Sequence, residues 1–471
     1  MGDNRRVAKA KLRPLWLIPP CLASLWVVLT HSTSSSLLQD SDTKVLLQTI
    51  REVQNPLSWF VGDWPLRNHF YRPVSTLFFE LDNWLHGTNA AGYGLTNALI
   101  AVLCILALTW LVRELMEDWA LAGISGGVFG LWHLASSPDG QVVSLVFLLG
   151  GLACFVGLFR GRRGLALLGV VFVALAAFWV GHAYGPVQWF SGRIVHWLPG
   201  RTASVMTFFA LASMAAYARW ERLSAPRKDP KAATSTERPF RASDPLELYH
   251  PAKSVWIWPV LSLVFLVLAL GSYEQAIMLP ALLLGSSIYV ALRGLRPRWW
   301  FHAATWGLLV GYFILRVRAL PQDVSGYQAQ QLRSGFEGGL LVDLFSYSVP
   351  ALNEVRPFLS NLMPDPLILL TAAFWAPIFN FLGCLAALAI CIRDEQRWGI
   401  LAFWLMAFFS FLPMAWLKMF EHYHYWPSAF LSLAWALIVA AAARAVISAV
   451  SPPAIQAPPR SDPAPGSLPH Q

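Results

Sequence analysis

The sequence predicts an all-α membrane protein of about twelve transmembrane helices, and three observations predict it. Hydrophobic residues make up 56% of the 471 and charged residues only 13%, far below the roughly 25% of a soluble domain. Runs of roughly 20 mostly apolar residues, the length that crosses a bilayer, recur along the chain. The basic residues sit in short loops between those runs. The formal net charge of +9 therefore reports topology, because cytoplasmic loops carry the Lys and Arg excess, and it indicates no nucleic-acid partner. No large soluble domain is accommodated. Cys21, Cys104, Cys154, Cys384 and Cys391 fall in or beside apolar runs without metal-ligand or disulfide spacing, and read as small buried hydrophobes.

Residues 1–14 form a basic cytoplasmic N-terminus with Arg5, Arg6, Lys9, Lys11 and Arg13. The apolar run Leu15 to Thr30 follows without a convincing cleavage site in Ser32 to Ser36, so it reads as an uncleaved signal anchor. That places residues 32–92 outside. Within this loop Leu46, Ile50 and Val53 make one apolar stripe on a short helix after Ser41-Asp42-Thr43. Pro56 breaks it, and Leu57 and Phe60 continue it for about a turn. A second interfacial helix starts at Pro73, suited to the first helical position. Val74, Leu77, Phe78, Leu81 and Leu85 form its apolar face, opposite Ser75, Thr76, Glu80 and Asn83. Trp59, Trp64, Tyr71 and Trp84 suit headgroup depth.

Spans follow near Tyr93 to Val112, Trp119 to Ala135, Val142 to Phe159, Leu165 to Tyr184 and Thr202 to Ala218, completing an N-terminal membrane half over 15–218. The charged, proline-containing stretch 219–253 reads as a flexible cytoplasmic linker. A second half, 254–445, holds spans near Val255 to Gly271, Ala276 to Leu292, Trp300 to Leu320, Ile368 to Ile392, Trp398 to Leu417 and Trp426 to Ala443. Its large external loop is 321–366. Residues 446–471 read as a disordered, proline-rich cytoplasmic tail.

Three features of the second half stand out by chemistry alone. Arg316 and Arg318 lie inside an apolar run near its external end, and charges at such depth usually face a polar cavity. Glu274 occupies a very short external turn, where it suits pairing with an arginine more than action on a substrate. His422 and His424, beside Glu421, are two residues apart and share no helix face; they suit interfacial anchoring better than metal ligation, and no metal is assigned. No phosphate-loop spacing indicates a nucleotide, and no cofactor is expected.

Asp40-Ser41-Asp42, Gly62-Asp63-Trp64-Pro65, Phe70-Tyr71-Arg72-Pro73, Leu81-Asp82, Leu85 to Asn89 and Gly92 to Asn97 together resemble the first external loop of bacterial GT-C-fold glycosyltransferase-like proteins. These are relatives of the protein O-mannosyltransferases and the TPR-linked O-mannosyltransferases. Trp197-Leu198-Pro199-Gly200-Arg201-Thr202, Ser272-Tyr273-Glu274-Gln275 and Glu421 to Ser428 resemble three further short elements of that family, so the resemblance spans 38–430.

The resemblance implies transfer of a sugar from a polyprenyl-phosphate donor to an extracytoplasmic protein, lipid or glycan acceptor, at a bacterial inner membrane. It implies an acidic general base in the first external loop, which falls here on Asp40 and Asp42, separated by Ser41 where many relatives have adjacent acids. Asp42 also suits the N-cap of the following helix. Departing phosphate would be met by arginines, whose planar fork suits phosphate oxygens: Arg72, Arg201 and Arg193, with Arg316 and Arg318. Asp63 suits an acceptor-site acid or a turn, and His69 a substrate contact or an interfacial histidine. The competing expectations are a transporter or flippase of lipid-linked saccharides and a non-catalytic relative acting as an envelope scaffold. The bilayer, the lipid-linked donor and an unidentified acceptor are the expected partners.

Overall fold

A computed structural model describes residues 13–53, 55–132, 164–172, 197–224, 253–292, 298–331, 397–415 and 420–450, with isolated positions at 150, 153, 154, 162 and 417. Among the described residues the chain is all-helical, with no strand. The helices used below are α1 (Ile18–Leu29), α2 (Ser41–Glu52), α3 (Pro73–His86), α4 (Ala90–Met116), α5 (Trp119–Trp132), α6 (Arg201–Ser224), α7 (Ile257–Leu270), α8 (Leu279–Leu292), α9 (Trp299–Ala319), α10 (Gly326–Gln331), α11 (Arg397–Phe411) and α12 (Tyr425–Val450). Arg193, residues 332–366 of the predicted loop 321–366 and the predicted span near 368–392 lie outside the described residues.

Local chemistry sets several helix starts. Asn89 caps α4 by accepting from the Ala91 amide at 3.1 Å, and Asp118 caps α5 through the amides of Ala120 and Leu121; both use the short polar side chain favoured at that position. Pro73 opens α3 where its missing N–H leaves no bond unmade.

Helix α6 sits at the centre, packed against α4 on one side and α7 on the other, while α5 joins α4, α1 and α12. Its buried residues are mostly small, including Ala203, Ser204, Ala210, Ser213 and Ala216. Small side chains let helix backbones approach closely, the packing mode of helices in lipid. Polar groups inside the bundle pair with each other, as in the mutual hydroxyl-to-carbonyl bonds of Ser213 and Ser262.

Among the described residues two helical stretches, Ala90–Met116 and Glu274–Ala291, are long and apolar enough to cross a membrane. Leu15–Leu29, Trp119–Gly130, Ile257–Leu270 and Trp398–Met414 are shorter and apolar. The outward side of α4 carries Leu95, Leu99, Leu103 and Leu106, all exposed. Their spacing of three and four residues makes one stripe, which hydrocarbon solvates without penalty and water does not.

The segment between α1 and α4 differs from its sequence pattern in how its side chains face. Helix α3 turns Ser75, Thr76, Phe79 and Asp82 inward, while Leu81 and Leu85 are exposed and Trp84 is 79% exposed. The C-terminal part of the apolar side thus faces away from the protein, while Val74 is buried and Phe78 packs against the core. On the inward side Asp82 meets an arginine, described below, and Ser75 bonds to the Ser272 carbonyl. Trp59, Trp64 and Tyr71 are buried inside the protein. Trp59 and Trp64 form a small core with Leu37, Leu46, Leu47, Ile50, Phe79, Tyr93 and Leu198. Beyond Pro56 the chain makes a 3-10 turn that points Leu57, Phe60 and Val61 out and Trp59 in.

Candidate functional site

Four segments far apart in sequence meet at one end of the bundle: the loop before α4, the turn entering α6, the turn after α7 and the stretch entering α12. The meeting runs through a continuous row of side chains.

Asp40 begins the row. Helix α2 starts at Ser41, so Asp40, and not Asp42, is its N-cap. One oxygen, Oδ2, accepts from the amides of Asp42 and Thr43 at 3.1 and 3.2 Å, from the Thr43 hydroxyl at 3.4 Å and from the Trp197 indole N–H at 3.0 Å. The carboxylate is oriented by its own helix and by a tryptophan 157 positions away, and its Oδ1 takes none of these bonds. Asp42 lies half-buried in the first turn of α2. Beside them an open groove of about 720 Å³ is lined by Gln39, Lys44, Gln48, Arg51 and Thr88, over Leu38 and Leu47.

From Trp197 the row continues to the His422 ring at 5.3 Å, and from His422 to Tyr273 at 6.1 Å. The Arg72 guanidinium lies over Tyr273, Phe70 and Trp64, 4.4, 4.2 and 4.6 Å from their centroids, an arrangement favoured by the negative faces of the rings. Nε and a terminal nitrogen of Arg72 both meet Oε2 of Glu274, at 2.8 and 2.7 Å. Burial lowers the Arg72 pKa, but Glu274 opposes it and the net shift is upward, so this guanidinium stays charged. Glu274 is thus held by an arginine.

The backbone reinforces that junction. The Val74 amide donates to Gly271 O at 2.8 Å and the Ser75 hydroxyl to Ser272 O at 2.9 Å. Gln275, fully buried, donates to the carbonyls of Ser410 and Tyr423. His424 stacks on Phe411, and among the described residues no group of His, Cys, Asp and Glu could hold a metal ion.

Arg201 has a different place. Its side chain is 0% exposed, and Nη1 lies 2.5 Å from Oδ2 of Asp82. Nε donates to Asn97 Oδ1 at 2.5 Å and Nη2 to the Tyr93 carbonyl at 3.1 Å. Asp82 also accepts from the Thr96 hydroxyl at 2.8 Å, with His86 Nε2 at 3.8 Å. Every guanidinium nitrogen is engaged inside the protein, so Arg201 ties α3 and α4 to α6 and presents no fork to a ligand. Asp82 and Asn97 are not among the site residues expected from the sequence. An aspartate on the helix side shared with Ser75 and Phe79 is the signal that could have found it.

Asp63 closes the loop that carries His69. Its Oδ1 accepts from the amides of Trp64 and Phe70 and its Oδ2 from that of His69, at 2.8, 3.1 and 2.9 Å. Burial nevertheless raises its pKa, outweighing those donors. The knot holds Arg67 and His69 at φ of 50° and 63°, left-handed values uncommon for residues with a side chain. His69 reaches the carbonyl of Asp323 at 3.1 Å, and Gln328 on α10 donates to the His69 carbonyl at 2.9 Å. Both Asp63 and His69 are therefore parts of a loop scaffold that docks on the segment before and within α10. Arg316 is half-buried and Arg318 exposed near the end of α9.

Comparison with protein-family models, with curated proteins and with solved structures gives no match to this chain.

Proposed function

We propose that this chain is a multi-pass membrane glycosyltransferase of GT-C type that moves a sugar from a polyprenyl-phosphate donor to an acceptor on the extracytoplasmic face, in a bacterial inner membrane. What supports the reading is the convergence of the four segments that carry the sequence resemblance onto one row, Asp40, Trp197, His422, Tyr273, Arg72 and Glu274. Outward apolar stripes on α4, and on α9 through Val310, Phe313, Ile314 and Val317, suit a chain surrounded by lipid.

In this reading Asp40 is the general base. Oδ2 is anchored by backbone and indole donors, and Oδ1 accepts the proton of an acceptor hydroxyl within hydrogen-bond reach. As that proton leaves, the hydroxyl oxygen bonds to the anomeric carbon and the bond from that carbon to phosphate oxygen breaks. Arg72, kept charged, stabilises the departing phosphate. Asp42 contributes negative charge beside the base, and the groove along α2 admits the acceptor.

One observation favours a second reading, a non-catalytic relative: the cap and the indole bond give Asp40 a sufficient structural role. Transfer from labelled polyprenyl-phosphate sugars in purified membranes separates the two, using Asp40→Ser, Asp40→Asn and Asp42→Asn. Serine retains N-cap capacity but has no carboxylate. Asp40→Ser should leave the unfolding midpoint close to that of the parent and lower transfer by about 100-fold or more. Transfer at the parental rate in all three variants overturns the assignment of the base, and a parent that transfers no sugar favours the second reading.

A further inference from the structure

Three polar atoms near the Arg72 end of the row have no hydrogen-bond partner among the described residues: Oε1 of Glu274, the hydroxyl of Tyr312 and Nε of Arg316, each withdrawn from solvent. Glu274 stands in the turn after α7, while Tyr312 and Arg316 are four residues apart on α9 and so share a face. Arg72 engages Glu274 through Oε2 alone. Oε1 keeps its lone pairs. The Tyr312 side belongs to the same place: its ring packs 5.8 Å from that of Tyr71, and Glu274, Arg316 and Arg72 all act electrostatically on its hydroxyl. Tyr312 itself is only 6% exposed.

Buried polar atoms without partners are disfavoured, and each calls for an explanation. Here they make a complementary set of one charged acceptor and two donors. We infer that Glu274 Oε1, the Tyr312 hydroxyl and Arg316 Nε form a subsite for the hydroxyl groups of a saccharide ring. Adjacent ring hydroxyls can donate to Glu274 while accepting from Tyr312 and Arg316. A phosphate would meet the two donors but repel the carboxylate, and an apolar group would leave all three unpaired. That the sugar is the one carried by the lipid donor rests on the glycosyl-transfer reading. The subsite then decides which sugar is accepted, since a site built to bond a hydroxyl discriminates strongly against ligands that lack it.

Equilibrium binding to the full chain in lipid nanodiscs tests this, with citronellyl phosphate and citronellyl-phosphate hexoses and pentoses as probes. At least one sugar-bearing probe should bind about tenfold tighter than bare citronellyl phosphate. Tyr312→Phe should remove about five- to tenfold of that advantage and leave the bare probe unchanged. Because the hydroxyl it deletes has no partner, the same variant should unfold at or above the parental temperature. Glu274→Gln, which keeps the shape but weakens the acceptor, should lower the same preference.

Equal binding of both probe types by the parent, or an unchanged sugar preference in Tyr312→Phe, overturns the subsite even if the parent transfers sugar. A parent that binds the sugar-bearing probe tightly, loses that preference in Tyr312→Phe and transfers nothing leaves the subsite standing and removes the transferase reading. A parent that binds neither probe overturns the subsite, and if it also transfers nothing it overturns both.

Discussion

Replacing Arg201 by methionine should be one of the most damaging single changes in the described part of the chain. Arg201 and Asp82 have side chains 0% and 2% exposed, with Nη1 and Oδ2 2.5 Å apart. Unit charges about 4 Å apart at an effective dielectric constant near 20 attract by about 4 kcal/mol. Removing one partner leaves the other charge desolvated, which costs about 3–5 kcal/mol. Arg201→Met also deprives Asn97 and the Tyr93 carbonyl of a donor, which places the expected loss toward the upper end. Asp82→Leu should cost about 3 kcal/mol, since Arg201 keeps two of its contacts. The paired change Asp82→Leu with Arg201→Met should lie within about 2 kcal/mol of the parent, because a buried pair replaced as a whole is often nearly neutral. Equilibrium unfolding in mixed micelles with increasing dodecyl sulfate, followed by tryptophan fluorescence, would give the four free energies of the cycle. A loss below about 1 kcal/mol for Arg201→Met, the value of a solvent-exposed pair, would refute the buried clamp and with it the account of why α3 turns its polar side inward.

Three further expectations follow from the same kind of geometry. Arg72→Lys keeps the charge but loses the planar stack on Trp64, Phe70 and Tyr273, and should cost about 1–3 kcal/mol; a thermal midpoint equal to that of the parent would contradict it. Asp63 has its pKa raised from 3.8 by burial, so the folded state favours the protonated form. Its contribution is greatest below the unfolded value and declines as pH rises through the folded one. Asp63→Asn, which cannot titrate and loses an acceptor, should therefore show its largest stability deficit near pH 3 and a smaller one near pH 7, and a deficit that grows with pH would reverse the sign. A β-carbon on Gly94 would stand 1.8 Å from the Ser32 carbonyl oxygen, whereas one on Gly87, at φ of 57°, meets no atom within 4 Å. Gly94→Ala should force the loop before α2 off the start of α4 and abolish the folded yield in detergent, while Gly87→Ala should cost only about 1 kcal/mol of backbone strain.

Helix positions were legible in the chain to within a few residues wherever local chemistry marks them. Pro73 opens α3 as expected, and the stripe of Leu46 and Ile50 faces inward from α2. The cap of α2 shows why local chemistry has limits. Asp40, Ser41, Asp42 and Thr43 can all cap a helix, and sequence spacing favours Asp42. Asp40 takes the position, and the same oxygen serves the Trp197 indole from across the fold. Periodicity likewise gives α3 an apolar side without saying where it points. Trp84 and Leu85 face outward because Arg201 needs the carboxylate of Asp82 on the other side.

By itself the sequence determined composition, the apolar runs, the turn residues and the list of charged groups lying in or beside apolar segments, because each depends on residues a few positions apart. Pairing depends on contacts between positions dozens to hundreds of residues apart, and only the tertiary structure decided it. It gave Arg72 to Glu274, made Arg201 an internal clamp instead of a phosphate fork, and left Glu274, Tyr312 and Arg316 with atoms lacking partners among the described residues. An arginine at the edge of an apolar run looks the same in sequence whether it snorkels, clamps or binds a ligand. Burial and the identity of the nearest carboxylate distinguish those roles, and both are properties of the packed chain.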